Sequence, residues 1–403
     1  MNLYKNFLLV GDKSDADFPA LLNVNGHIHT PHSFSAFNDF SQIFSMAVSE
    51  NISVLGINDF YTTDGYGEFV ASAMENKVFP LFNIEFMALQ KAEQQADIRV
   101  NDPQNPGRTY LSGKGLRFPT SMSEASRKKL EQLKYESNRQ TYEMVDKLND
   151  FLKTTSIDIH FNAAEMQTHL AKNLLRERHI AKAVRMAVSE KFQTPEKIKR
   201  ALTEIFSGKE PQSPPCNAAA LENEIRNNLL KVGGVAYVAE DGKAFLSLEE
   251  VVSLIVDAGG IPCYPALLDD AKGNLTDFEK NYAKMCDTLK SKNIFAIELI
   301  PGRNSFHALK EFVRFFDGAG FVVTFGTEHN TPQLDPLTVS CRGGVPLDEE
   351  LLQINYKGVA VIAAHQYRIQ VGEKGFPANH MPAADELKAL EILGKQVIAN
   401  FIK

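Results

Sequence analysis

Two histidines stand one residue apart in Asn25-Gly26-His27-Ile28-His29-Thr30-Pro31-His32-Ser33. The apolar run leading into them predicts a strand over residues 21–29. Residues i and i+2 of a strand project from the same face, so His27 and His29 face the same way. Two imidazoles on one face can share a metal ion; a pair of surface or core histidines is the alternative. Position favours the metal. A second apolar run closes in Gly56-Ile57-Asn58-Asp59, a third contains Phe82-Asn83-Ile84-Glu85, and a late one ends in Gly326-Thr327-Glu328-His329-Asn330. Each run delivers an acid or an imidazole near its C-terminal end, the rim on which parallel α/β barrels build active sites. His27, His29, Asp59, Glu85 and Glu328 converge there as a candidate metal constellation, although Asp59 alone also reads as a helix N-cap.

The elements that must position these residues alternate. Strands are expected over 21–29, 52–57 and 78–87, with helices over 37–50 and 69–76, the rhythm of βαβ units and a parallel sheet. The rhythm stops at Gln90. From there to about Lys243 the pattern is mostly helical, with helices expected over 123–154, 162–172, 176–190 and 195–207, and a proline-bearing linker over 209–217. After Ser247 the alternation returns, with helices over 248–257, 275–292 and 305–316 and strands over 260–264, 294–300 and 320–325. The economical account is an α/β barrel in two pieces, residues 1–89 and 244–340. A helical insertion at 90–243 interrupts it, and a helical C-terminal extension at 341–403 follows. A tandem helical domain is the alternative for the middle block.

The chain has 403 residues, 44% of them hydrophobic and 23% charged, the ordinary mix of a soluble globular protein rather than a disordered one. Lys plus Arg number 43 against 50 Asp plus Glu, a formal charge of -7, which argues against sequence-independent nucleic-acid binding. Cys216, Cys263, Cys286 and Cys341 form no CxxC pair, so neither a disulfide framework nor a zinc ribbon is expected. The apolar run Phe7-Leu8-Leu9-Val10 is too short for the core of a signal peptide. No run of 18 apolar residues suggests a membrane span. A cytoplasmic location without membrane association is expected.

The motifs, in their order, resemble the PHP (polymerase and histidinol phosphatase) domain family of metal-dependent phosphoesterases. His27-Ile28-His29-Thr30 with Ser33 is similar to its H-x-H-T-x-x-S motif, Gly56-Ile57-Asn58-Asp59-Phe60 to a strand closed by T-D-H, and Asn83-Ile84-Glu85-Phe86 to G-I-E. Gly259-Gly260-Ile261-Pro262-Cys263-Tyr264-Pro265 resembles G-G-x-x-x-H-P, and Gly326-Thr327-Glu328-His329-Asn330 resembles G-S-D-x-H. Arg178-His179-Ile180-Ala181-Lys182-Ala183 resembles an R-x-H-x-A-R-A stretch in the helical insertion of some members, with one residue fewer between arginine and histidine. The resemblance implies a distorted (β/α)7 TIM-like barrel, and it names His179 as a substrate-binding candidate. Phe60, Tyr264 and Asn330 stand where the family has histidines, and Glu328 replaces aspartate.

The family usually holds three metals. Its first is bound by positions that map onto His27, His29, Glu85 and Glu328, and the missing histidines belong mainly to the other two. The resemblance therefore implies one divalent transition metal per chain, Zn²⁺, Fe²⁺ or Mn²⁺, since imidazoles suit these better than Mg²⁺ or Ca²⁺. His329 is a further ligand candidate, or a cap on the following turn. One metal activates a water and polarises an oxygen but cannot clamp both the attacking and leaving groups. Arginines must then neutralise the substrate, and Arg99, Arg108 and Arg303 are the candidates, together with Lys114. Asp59 is expected to support a ligand histidine or act as general base. Glu298, on a barrel strand, either touches substrate or faces outward. The expected function is hydrolysis of a small phosphorylated substrate, a metal-activated water attacking phosphorus. A single-metal isomerase or lyase acting on a hydroxy-carbonyl compound, and a non-catalytic PHP-like binding module, are the alternatives.

Overall fold

A computed structural model describes residues 21–269 and 274–403. The run at 7–10, and Asp270 beside Asp269, lie outside them. Its centre is a seven-stranded sheet in sequence order: β1 (Asn23–Ile28), β2 (Ile52–Phe60), β3 (Phe79–Leu89), β4 (Arg108–Lys114), β5 (Ile261–Ala266), β6 (Ala296–Leu299) and β7 (Val322–Phe325). β1, β2 and β3 run parallel, as do β5, β6 and β7, while β4 is antiparallel to both its neighbours. The sheet is thus mixed, and its fourth strand comes from inside the stretch expected to be helical. β2 and β3 are buried along nearly their whole length, as their near-continuous apolar sequences require of strands covered on both faces.

Helices flank the sheet: α1 (Phe40–Ser49), α2 (Tyr66–Asn76), the short α3 (Lys91–Gln95), α4 (Glu124–Leu152), α5 (Ala163–Leu170), α6 (Glu177–Phe192), α7 (Pro195–Ile205), α8 (Ala218–Leu229), α9 (Leu248–Asp257), α10 (Tyr282–Ser291), α11 (Phe306–Gly318), α12 (Glu349–Gln370) and α13 (Ala384–Ile402). Several start where the sequence supplies a cap. Asp39, Ser123, Ser305 and Asp348 accept backbone N–H groups of the first turn, and Ser247 and Glu250 form a reciprocal capping box. One apolar core joins the strands to α1, α2, α9–α13, and a second, built from residues 144–238, holds the middle helices together.

The sheet closes nearly into a barrel at the seam between β1 and β7. His29 N–H donates to the Glu328 carbonyl at 2.7 Å, and the N–H groups of Thr327 and Glu328 donate to the His27 carbonyl. A Cβ at Gly326 would collide with His27 Cβ, so only glycine lets the end of β7 lie against β1. Deeper in the seam Asn355 of α12 bridges both edges, accepting from Phe325 N–H at 2.7 Å and donating to the Val24 carbonyl at 3.2 Å. The result is the α/β TIM-like barrel expected from the sequence, with the C-terminal helices packed on it. Among the described residues no helix is long and apolar enough to cross a membrane.

Candidate metal centre

β1 places His27 and His29 side by side, with ring centroids 5.3 Å apart, and β3 brings Glu85 to them. One donor atom from each of His27, His29 and Glu85 lies within 4.8 Å of the others, and all three residues are buried. Hydrogen bonds behind the rings select which nitrogen faces inward. His27 Nδ1–H donates to Glu298 Oε2 at 2.9 Å. His29 Nδ1 lies 2.9 Å from Ser33 Oγ, whose hydroxyl donates to Asp59 Oδ1 at 3.0 Å, so His29 carries its proton on Nδ1 as well. His29 Nε2 then offers a free lone pair, the usual arrangement of an oriented ligand histidine, whereas His27 Nε2 accepts from Asn58 Nδ2 at 3.0 Å and would exchange that donor for a metal.

The donor set fits a cation. His29 Nε2 is buried without a hydrogen-bond partner and lies 3.3 Å from Glu85 Oε2. Burial pushes the His29 pKa down, but the Glu85 carboxylate outweighs it and raises the pKa above the ordinary value; the gap between ring and carboxylate favours positive charge. Two imidazoles and a carboxylate suit Zn²⁺, Fe²⁺ or Mn²⁺.

Asp59 supports this group from behind. It is fully buried, takes Thr30 N–H at 2.7 Å, Thr30 Oγ1 at 2.5 Å and the Ser33 hydroxyl, and does not line the cavity in front of the histidines. Of the two expected roles for Asp59, its position favours support of His29 through Ser33 over that of general base.

Glu328 lies on the cavity wall but outside the mutual cluster of donors. Its carboxylate is held by Arg303 and by Asn330 Nδ2 at 2.6 Å. Burial would raise its pKa, yet Arg303 and both histidines bring it below the ordinary value. Of the four expected ligands, the structure brings His27, His29 and Glu85 together and leaves Glu328 on the cavity wall. His329 is corrected as well. Positive φ at Glu328 (68°) and His329 (55°) turns the ring away to stack on Phe37 at 4.7 Å, with its nitrogens on Thr327 Oγ1 and the Asp335 carbonyl. It caps the turn.

A cavity of about 340 Å³ opens in front of the cluster, and Arg176, Arg178, Arg226 and Arg303 all line it. Arg303 follows β6, as the sequence suggested. The other three come from the middle helices and carried little sequence signal; only Arg178 stood in a quoted motif. Arg176 stacks 4.2 Å above the Phe60 ring, so the aromatic residue at a would-be ligand position is an arginine platform. Arg178 donates to Asn223 Oδ1 at 3.0 Å. Burial, then Arg226 and Arg303, lower its pKa to about 10, which leaves it charged at neutral pH. Arg226 is paired with Glu177.

The remaining candidates lie elsewhere. Arg99 turns to Asp97 and does not line the cavity. Arg108 pairs with Glu240 in a neighbouring chamber of about 460 Å³. His179 is buried; its Nδ1 accepts Arg176 N–H at 3.0 Å as part of the α6 capping box, and its ring packs edge-on against Phe34. Burial holds its pKa down at about 3. The structure does not bring these three expected substrate-binding residues to the cavity in front of the histidines. Lys114 is wholly buried and faces Glu298, which lines the cavity. Tyr264 points its hydroxyl at Glu279 Oε1, 3.1 Å away.

No family model matches the chain, and no curated protein matches it in sequence. Solved structures share its fold. A protein of Bifidobacterium adolescentis, provisionally described as a metal-dependent phosphoesterase, aligns over 84% of this chain and 96% of its own, with a TM-score of 0.54 and 16% identity. An amidohydrolase from Chromobacterium violaceum, solved with bound sulfate and no metal, aligns over 83% and 96%, with a TM-score of 0.50 and 15% identity.

Proposed function

We propose that the chain is a metal-dependent hydrolase acting on a small phosphorylated substrate. The observation that carries this reading is the meeting of two chemistries in one cavity. His27, His29 and Glu85 form a buried cation site, and four arginines line the space in front of it. The descriptions of the two structural neighbours, a phosphoesterase and an amidohydrolase, support the hydrolase class.

His27, His29 and Glu85 would hold a divalent transition metal, which when bound supplies Lewis acidity at a phosphoryl oxygen and lowers the pKa of water. The chain's own groups do the rest. Glu298, and Asp59 acting through Ser33, hold the Nδ1 side of the two rings and leave their Nε2 atoms as the metal donors, His27 Nε2 giving up its contact with Asn58 Nδ2. Arg178 presents a planar fork that matches phosphate. Arg176 and Arg178 straddle the capped start of α6, whose helix dipole adds positive potential.

Phosphate release from a panel of phosphomonoesters by protein dialysed against Mn²⁺ or Zn²⁺ tests the reading. Release that disappears in Glu85→Ala is expected. Turnover of hydroxy-carbonyl sugar acids with none of the phosphoesters would overturn it in favour of an isomerase or lyase.

A further inference from the structure

The cavity floor contains a second carboxylate that already has a cation. Glu298 is wholly buried, and its Oε2 accepts both the His27 Nδ1–H at 2.9 Å and the Lys114 ammonium at 2.5 Å, while its Oε1 takes the Ser112 hydroxyl. Lys114 ends β4 opposite Ile261, at the deep end of β5, and is itself wholly buried. Its ammonium also lies 3.2 Å from Asn58 Oδ1. A lysine buried this deeply is tolerated only when its charge is paired and its donors are used.

Two acid–histidine pairs therefore stand side by side. In one, Glu85 faces a His29 nitrogen that has no partner. In the other, Glu298 faces His27 and is closed from behind by an ammonium. We infer that Lys114 is a built-in cation, filling the place beside Glu298 that a second metal ion would otherwise take and so holding the site to one metal. This rests on the metal reading of His27, His29 and Glu85.

The physical argument is charge and room. A divalent ion at Glu298 would have to displace an ammonium that is already there, or share a low-dielectric pocket with it. With the ammonium gone, the Glu298 carboxylate and the Asn58 amide oxygen would face the vacated volume, with the Ser112 hydroxyl beside them on the other Glu298 oxygen, an oxygen-rich set that suits Mn²⁺ or Mg²⁺. Asn58 and Ser112 are joined to each other, with Asn58 Nδ2 donating to Ser112 Oγ at 3.2 Å, so the set is held together without the lysine.

Metal content per chain after dialysis against Mn²⁺ tests the inference. Wild type and Lys114→Arg, which keeps a cation, should each hold one ion, and Lys114→Ala should hold two. A single ion in Lys114→Ala, or two in wild type, would overturn the inference and leave the three-ligand site standing. No bound ion in wild type would remove the metal reading itself. Should Lys114→Ala not fold alone, the inference requires Mn²⁺ to restore its folding; a chain that stays unfolded in Mn²⁺ overturns it.

Discussion

Arg303 and Glu328, one expected to hold substrate and the other to hold metal, hold each other across the cavity wall. Glutamate reaches one methylene further than aspartate, and the left-handed backbone at 328 sends its carboxylate to the guanidinium and to Asn330 rather than into the donor cluster. Arg303→Ala should release Glu328 toward His27 and His29, whose charges already act on it. Metal should then bind about tenfold more tightly, ~1.4 kcal/mol, while KM for the phosphoester rises. Equilibrium dialysis and steady-state kinetics on one preparation check both signs; weaker metal binding would show that the ion pair supports the site instead.

Arg178 is half-buried and carries no carboxylate partner among the described residues, its ties being one hydrogen bond to Asn223 and a cation–π contact with Phe34. Arg178→Ala should raise KM roughly 10–100-fold, the equivalent of losing one or two charge-assisted hydrogen bonds. Arg178→Lys should recover little, because an ammonium lacks the planar fork. An unchanged KM would take Arg178 out of substrate binding.

Asp59 touches no substrate-accessible surface, yet it fixes Ser33 and through it His29. Asp59→Asn keeps the shape and introduces a donor where Ser33 needs an acceptor. Metal affinity should fall 10–100-fold, the usual cost of removing such support, with the circular dichroism spectrum unchanged. Retained affinity would separate Asp59 from the metal centre.

The barrel strands were legible because each is a short apolar run ending in a chemically distinctive residue. The paired histidines and Glu85 were legible for the same reason. β4 was not: Arg108-Thr109-Tyr110-Leu111-Ser112-Gly113-Lys114 is weakly apolar and follows a turn-rich stretch, and only its pairing with β3 and β5 makes it a strand. Arg176, Arg178 and Arg226 were hidden among the charges of amphipathic helices, where solvated arginines have the same spacing as buried ones. The engagement of Glu328 by Arg303 depends on a side-chain direction set by positive φ, which a glutamate does not advertise.

His365 gives the fold an acid-sensitive point far from the cavity. Its Nε2–H donates to the Gly259 carbonyl at 2.7 Å and its Nδ1 accepts Phe376 N–H at 2.9 Å, so only the neutral ring satisfies both. Burial holds its pKa down to about 4, against 6.5 ordinarily. Between these values the unfolded chain binds a proton that the folded chain refuses, so stability is full above pH 6.5 and falls as pH drops toward 4. His365→Gln should flatten urea stability over that window by about one proton. A slope identical to wild type would show that the ring titrates freely.

On the proposed reading His27, His29 and Glu85 enclose one transition-metal ion. Equilibrium dialysis of the wild-type chain against Zn²⁺ or Mn²⁺, beside His29→Ala and Glu85→Ala, tests it most directly. One ion per wild-type chain, and loss of that ion in both variants, is the expected result. A wild-type chain that binds no ion, or variants that bind as wild type does, would contradict it.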